Sequence, residues 1–253
     1  MRRRRPVVAI VGLGLIGGSL ARALTRAGYR VLGVDRPGVR RRARAQGAVA
    51  ETMATPEAAA RRADVVVLAA PPRANLTLLR RLAARASPRR LVITDVGSVK
   101  GPICGLARRL GLGGFVGGHP VAGTEGRGFA AASADLFRGR AWALTPTPPG
   151  TRALSRVRAL VRAVGARPVT ISVRDHDRAL AFLSHLPQVV SFALLDAVRH
   201  DPVAARHLQL AGPGFRDMTR LARSPRPLWR EILGQNRAEV ARALKALRGA
   251  TRT

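Results

Sequence analysis

The segment VAIVGLGLIGGSLARAL (8–24) restricts the possible folds of this chain more than any other stretch. A β-branched run over 7–11 stops at Gly12, and helical periodicity takes over from 15 to 27, ending at Gly28. Between them Gly12, Gly14 and Gly17 fall in the spacing G-x-G-x-x-G. The first glycine permits a tight turn off the strand, the second lets backbone approach a pyrophosphate, and the third lets the helix pack closely on the sheet. Leu15 and Ile16 open the helix, whose N–H groups and positive dipole end suit phosphate. Asp35 follows Gly17 by 18 residues, at the end of a second strand over 30–34. Strand, turn, helix and acidic residue together predict a dinucleotide-binding βαβ unit. Asp35 is expected to accept bonds from the adenosine ribose hydroxyls, which favours NAD. Arg36 is suited to a 2′-phosphate and keeps NADP open.

Strand and helix signals go on alternating. The VVVLA run at 65–69 is continuous and apolar, as in a strand buried on both faces, and Pro71-Pro72 ends it. A helix is expected over 75–86, strands over 91–94, 115–117 and 141–145, a helix over 151–164 and a last strand over 168–173. This alternation predicts an α/β fold, a Rossmann-type, doubly wound, mostly parallel sheet. From Asp175 onward the pattern is helical only. We therefore expect a dinucleotide-binding domain over 1–173 and an all-helical domain over 174–253, the latter small enough to need a second copy of itself.

The 45 Lys+Arg against 14 Asp+Glu leave a formal net charge of +31. Only Lys100 and Lys245 are lysines, and the arginines are spread along the whole chain. With aromatics at 4% there is little for bases to stack on, so a solvated surface that attracts anionic substrates is expected, without specific nucleic-acid binding. Arg2 to Arg5 before an uncharged stretch mimic a secretory signal, but that stretch reads as strand and glycine turn, so the N-terminus is expected to be retained and the protein cytoplasmic. No unbroken apolar run reaches the ~18 residues that span a bilayer. The single cysteine, Cys104, excludes a disulfide framework and is expected to be small and buried; no Cys/His spacing suggests a metal.

Four later segments carry polar groups that a bland fold does not need: ITDVGSVKG (93–101), GGHPVAGTEGRG (117–128), AFLSHLPQVVS (181–191) and GPGFRDMTRLARSPRPLW (212–229). With the glycine loop they resemble, in order and over nearly the whole chain, the prephenate/arogenate dehydrogenase family of tyrosine biosynthesis. The resemblance implies oxidation of a cyclohexadienol carboxylate. Hydride leaves the ring carbinol carbon for nicotinamide, the ring carboxylate departs as CO₂, and the ring becomes aromatic.

In that pattern His119 is similar to the catalytic histidine that accepts the hydroxyl proton, a task suited to a neutral imidazole. Ser98 resembles the hydroxyl that orients it, beside the cofactor. Arg220 matches an arginine that grips the substrate side-chain carboxylate, where a guanidinium fork is apt. Thr124 and Glu125 match the site entrance, and Ser184 another site position. Asp217 is expected to buttress Arg220, and Arg216 to add positive charge. Trp229 is placed near the pocket or in ordinary packing, and His185 beside Ser184 on a face left open. Gln188 stands where prephenate-preferring relatives carry a second histidine, so arogenate use stays open. Lys100 is expected to be solvated, and His200 and His207 to be surface groups.

A homodimer through the helical domain is a further expectation of the likeness. No separate tyrosine-binding domain or chorismate mutase fusion is expected. The competing reading with the same loop is a β-hydroxyacid dehydrogenase or other Rossmann reductase. Those β-hydroxyacid enzymes rely on a lysine on an interdomain helix, whereas the only helical-domain lysine here is Lys245. A nucleotide-sensing or nucleic-acid-binding protein is the non-enzymatic alternative.

Overall fold

The computed structural model describes residues 5–85, 91–123, 126–147 and 151–251. In chain order the elements are β1 (Val8–Val11), α1 (Leu15–Arg26), β2 (Val31–Val34), α2 (Pro37–Ala45), β3 (Glu51–Thr52), α3 (Pro56–Ala60), β4 (Val65–Leu68), α4 (Pro72–Arg85) and β5 (Val92–Asp95). There follow α5 (Gly101–Arg109), β6 (Phe115–Pro120), β7 (Ala141–Pro146), α6 (Thr151–Ala163), β8 (Arg167–Thr170) and α7 (Val173–Leu180). A π-helical turn, Ala181–His185, precedes α8 (Leu186–His200); then come α9 (Pro202–Arg206), α10 (Pro213–Thr219), α11 (Arg226–Gln235) and α12 (Arg237–Ala250). The chain divides into two compact units, Met1–His176 and Asp177–Thr253.

The first unit is built on one eight-stranded sheet of order β3-β2-β1-β4-β5-β6-β7-β8. Every neighbouring pair is parallel except β6 and β7. The sequence dictates this burial directly. Val8, Ile10, Val65 and Val67 pack into one apolar cluster, while Val7, Ala9, Val11, Val66 and Leu68 pack into the other. Successive side chains of a strand point to opposite faces, so an unbroken apolar run requires cover on both. The strand order reverses between β1 and β4, and ligands of such sheets bind beyond the carboxyl ends of the strands at that switch.

The second unit has a slight core, with Ala181, Val240 and Ala243 buried and Leu186, Val189 and Leu233 packed against them. Several large apolar side chains remain outside, among them Leu183 at 77%, Leu210 at 80% and Val203 at 64% exposure. The helical run Val173–His200 contains an 18-residue window long and apolar enough to cross a membrane by length and composition alone. Ser184, His185, Gln188 and Ser191 interrupt its apolar residues without lowering the average enough to exclude it. His185, Gln188 and Ser191 are buried.

Candidate active site

Gly12 turns with φ +98°, and its N–H donates to the Val34 carbonyl at 2.8 Å. A Cβ at Gly17 would stand 1.8 Å from the Gly12 carbonyl oxygen, so no side chain fits there. Gly14, the residue before α1, faces open space, and no side chain caps the helix. The first amides of α1 are thus offered outward by a backbone that a pyrophosphate can approach. The Asp35 carboxylate ends β2 beside this turn: one oxygen accepts from the Leu13 N–H at 2.6 Å, the other from the Arg36 N–H at 2.6 Å. The Arg36 side chain is exposed, with its guanidinium 4.0 Å from Asp35. These residues fit a dinucleotide.

On the same edge of the sheet, β5 ends in TDVGSVK. Asp95 and Lys100 form a buried ion pair there, which corrects the expectation of a solvated lysine. The lysine Nζ also donates to the Gly118 carbonyl at 2.6 Å, while the Asp95 carboxylate accepts the N–H groups of Gly97 at 2.8 Å and Gly118 at 3.1 Å. Both peptide groups flanking Gly118 are therefore held by one charged pair. A Cβ at Gly118 would lie 2.5 Å from the Asp95 carbonyl oxygen, which explains the glycine before the histidine.

His119 follows, 8% exposed and paired with Ala143 of β7. The strand expected over 115–117 runs on through His119 to Pro120, because β7 supplies an antiparallel partner along the segment. Three strand spacings separate β6 from β1, about 14 Å at the usual ~4.8 Å per step. The Nδ1 of His119 meets the Nε2 of His176 at 2.9 Å, with ring planes inclined by 70°. Ser98 lies half-buried in the turn after β5. Cys104 is buried, with Sγ 3.3 Å from the Thr145 hydroxyl. Thr124 and Glu125 lie outside the described residues.

In the second unit, Arg220 begins a 3₁₀ turn, Arg220–Arg223, and is exposed, as are Arg216 and Asp217. Gln188 is buried, and its amide donates to the Leu221 carbonyl at 2.7 Å. It thereby ties α8 to the turn that presents Arg220. Ser184 is half-buried in the π-helical turn. Pro187 lacks the N–H that would bond back to Leu183, a cause for the widened turn. His185 is buried, accepts at Nδ1 from the Asn236 amide at 3.1 Å and meets Trp229 edge-on at 6.0 Å. The same Asn236 amide donates to the Asp177 carbonyl at 2.7 Å. His200 and His207 are exposed.

Several acids outside these clusters are engaged by arginines. Hydrogen bonds from Arg62, then Arg30, hold the Glu51 carboxyl below its ordinary range, and Arg226 does the same for Asp196.

A doubly wound sheet, an open glycine turn and an acidic end to β2 define the class of Rossmann-type dinucleotide-binding proteins. The family model for the prephenate dehydrogenase nucleotide-binding domain matches residues 20–170, and that for the prephenate dehydrogenase dimerization domain matches residues 172–251. Prephenate dehydrogenase of Bacillus subtilis is 32% identical over 250 residues, covering 95% of this chain and 67% of the relative. Cyclohexadienyl dehydrogenase of Zymomonas mobilis is 36% identical over 239 residues, covering 90% of this chain and 80% of the relative. The chain spans about two thirds of the length of the first curated relatives it matches. The solved prephenate dehydrogenase of A. aeolicus, in complex with hydroxyphenyl propionate and NAD+, superposes with a TM-score of 0.89 at 33% identity, covering 97% of this chain and 88% of the other. The chain belongs to the prephenate dehydrogenase family.

Proposed function

We propose that this chain catalyses the oxidative decarboxylation of prephenate, arogenate or both, in tyrosine biosynthesis, with NAD as the cofactor. The reading is carried by His119, buried at the carboxyl end of β6 on the same sheet edge as the glycine turn. Gly12, Gly14, Leu15, Ile16 and Gly17 would hold the cofactor pyrophosphate, with Asp35 on the adenosine ribose. A carboxylate there disfavours a 2′-phosphate, which supports NAD over NADP despite Arg36. Bound NAD supplies the acceptor for the hydride of the ring carbinol carbon.

His119 takes the hydroxyl proton as that hydride leaves, breaking the O–H bond and forming N–H on the imidazole. The ring carboxylate departs as CO₂, and the electrons of its bond to the ring complete the aromatic system. Arg220 grips the side-chain carboxylate of the substrate, with Arg216 adding positive charge and Asp217 buttressing it. Ser98 is the partner hydroxyl of His119 beside the cofactor, Thr124 and Glu125 belong to the site entrance, and Ser184 is a further site residue. A net charge of +31 draws a multiply charged anion toward the molecule.

The exposed apolar side chains of the second unit support a homodimer formed through it, working in the cytoplasm. Initial rates at 340 nm with prephenate and arogenate, each with NAD and NADP, test the reading. Turnover of at least one substrate with NAD is expected; silence of both substrates with both cofactors would overturn it.

A further inference from the structure

We propose that His176 is the positioning residue for His119: its Nε2 accepts the Nδ1–H of His119 and fixes the tautomer in which Nε2 of His119 takes the substrate proton. The inference rests on the reading of His119 as the base, and it concerns a residue that neither composition nor motif singles out.

The two imidazole nitrogens lie 2.9 Å apart, and both side chains are buried. Two neutral imidazoles at that distance need one donor and one acceptor. A base that accepts at Nε2 carries its own proton on Nδ1, so Nδ1 of His119 donates and Nε2 of His176 accepts. His176 then carries its proton on its own Nδ1.

The charged pair of Asp95 and Lys100 secures the backbone at Gly118, where the ring is attached, but it does not choose between the two faces of the ring. Rotation of a histidine ring about χ2 has broad, roughly two-fold wells. A half-turn would set Cδ2 of His119 against the His176 nitrogen and forfeit a buried hydrogen bond, at a cost that selects one orientation.

His176 is itself held. It lies in the first turn of α7, and its N–H donates to the Ser172 carbonyl at 2.9 Å. The Ser172 hydroxyl donates to the Asp175 carboxylate at 2.7 Å and accepts the Asp175 N–H at 3.0 Å, a reciprocal cap that fixes the turn. A neutral imidazole here does the orienting that a carboxylate does in a Ser-His-Asp triad.

The test combines histidine-nitrogen NMR with kinetics. The chain has five histidines, so ¹⁵N-histidine labelling with single replacements assigns each ring. Wild-type His119 is expected to show a protonated Nδ1 and a bare Nε2. His176→Leu should give a mixed tautomer and lower kcat about 10- to 100-fold, as loss of an orienting partner typically does, with little change in KM. His176→Gln keeps an acceptor oxygen near the lost nitrogen and should restore both the tautomer and most of kcat.

A wild-type His119 protonated on Nε2 overturns the proposal, as does a folded His176→Leu with unchanged kcat, or equal losses in the Leu and Gln variants. If His176→Leu does not fold, the wild-type and Gln spectra decide. A His119→Gln variant that keeps full kcat while the wild-type spectrum shows Nδ1–H removes the base assignment and leaves the positioning contact standing.

Discussion

Lys100→Met should destabilise the first unit more than any exchange of a surface arginine. The ammonium is fully buried against Asp95, itself 1% exposed, and also serves the Gly118 carbonyl. Met preserves the length of the stem and removes the charge. The Asp95 carboxylate then stays buried with only the Gly97 and Gly118 N–H groups to compensate it. Breaking a buried pair on one side costs about 3–5 kcal/mol. At about 2–4 °C per kcal/mol for a unit of this size, Tm should fall by about 6–20 °C. Adding Asp95→Asn removes the stranded charge while keeping an acceptor for the Gly118 N–H, so the double variant should recover much of the loss. Thermal unfolding followed by circular dichroism reads all three proteins. A single variant within about 1 kcal/mol of wild type, or a double variant no better than the single, would refute the reasoning. A further consequence is catalytic: with the Gly118 carbonyl released, folded Lys100→Met should lose kcat through a displaced His119.

Two other outcomes follow from the proposed roles. Arg220→Ala should raise KM for prephenate about 10- to 100-fold, the loss of one charge-assisted pair at about 1.5–3 kcal/mol, with a smaller effect on kcat; an unchanged KM counts against the assignment. Asp35→Ala should weaken NAD binding by about tenfold and NADP binding less, because the ribose acceptor and the brace on the Leu13 N–H go together; equal NAD affinity by titration would reject that role.

Sequence pattern was a good guide to the strands and glycine turn and a poor one to the contacts behind the site. The VVVLA and VAIV runs were legible because strands covered on both faces carry no polar alternation to confuse with another element. The two-residue β3 and the short, arginine-rich α2, with Ala43 its one buried residue, offered almost no periodicity. The motif marks His119, but the strand signal stops at 117, since Gly117 and Gly118 hide an extension that exists through its pairing with β7. The spacing of Asp95 and Lys100 was visible, yet nothing local marks a lysine as buried when its partner lies across a turn. A charge at a strand end, five residues before the only lysine of the first unit, was the available signal. His176 sits in the charged string RDHD, which reads as a solvated helix start, and its contact spans 57 residues. The motif draws attention to Gln188, but its bond to the Leu221 carbonyl, 33 residues away, emerges only in the folded helical unit.

The most direct measurement is the steady-state rate of His119→Ala with prephenate and NAD, read at 340 nm beside a circular dichroism spectrum that certifies its fold. Removal of the group that takes the hydroxyl proton predicts a kcat lowered about 10²- to 10⁴-fold at nearly unchanged KM. A folded variant turning over at the wild-type kcat would contradict the account at its root.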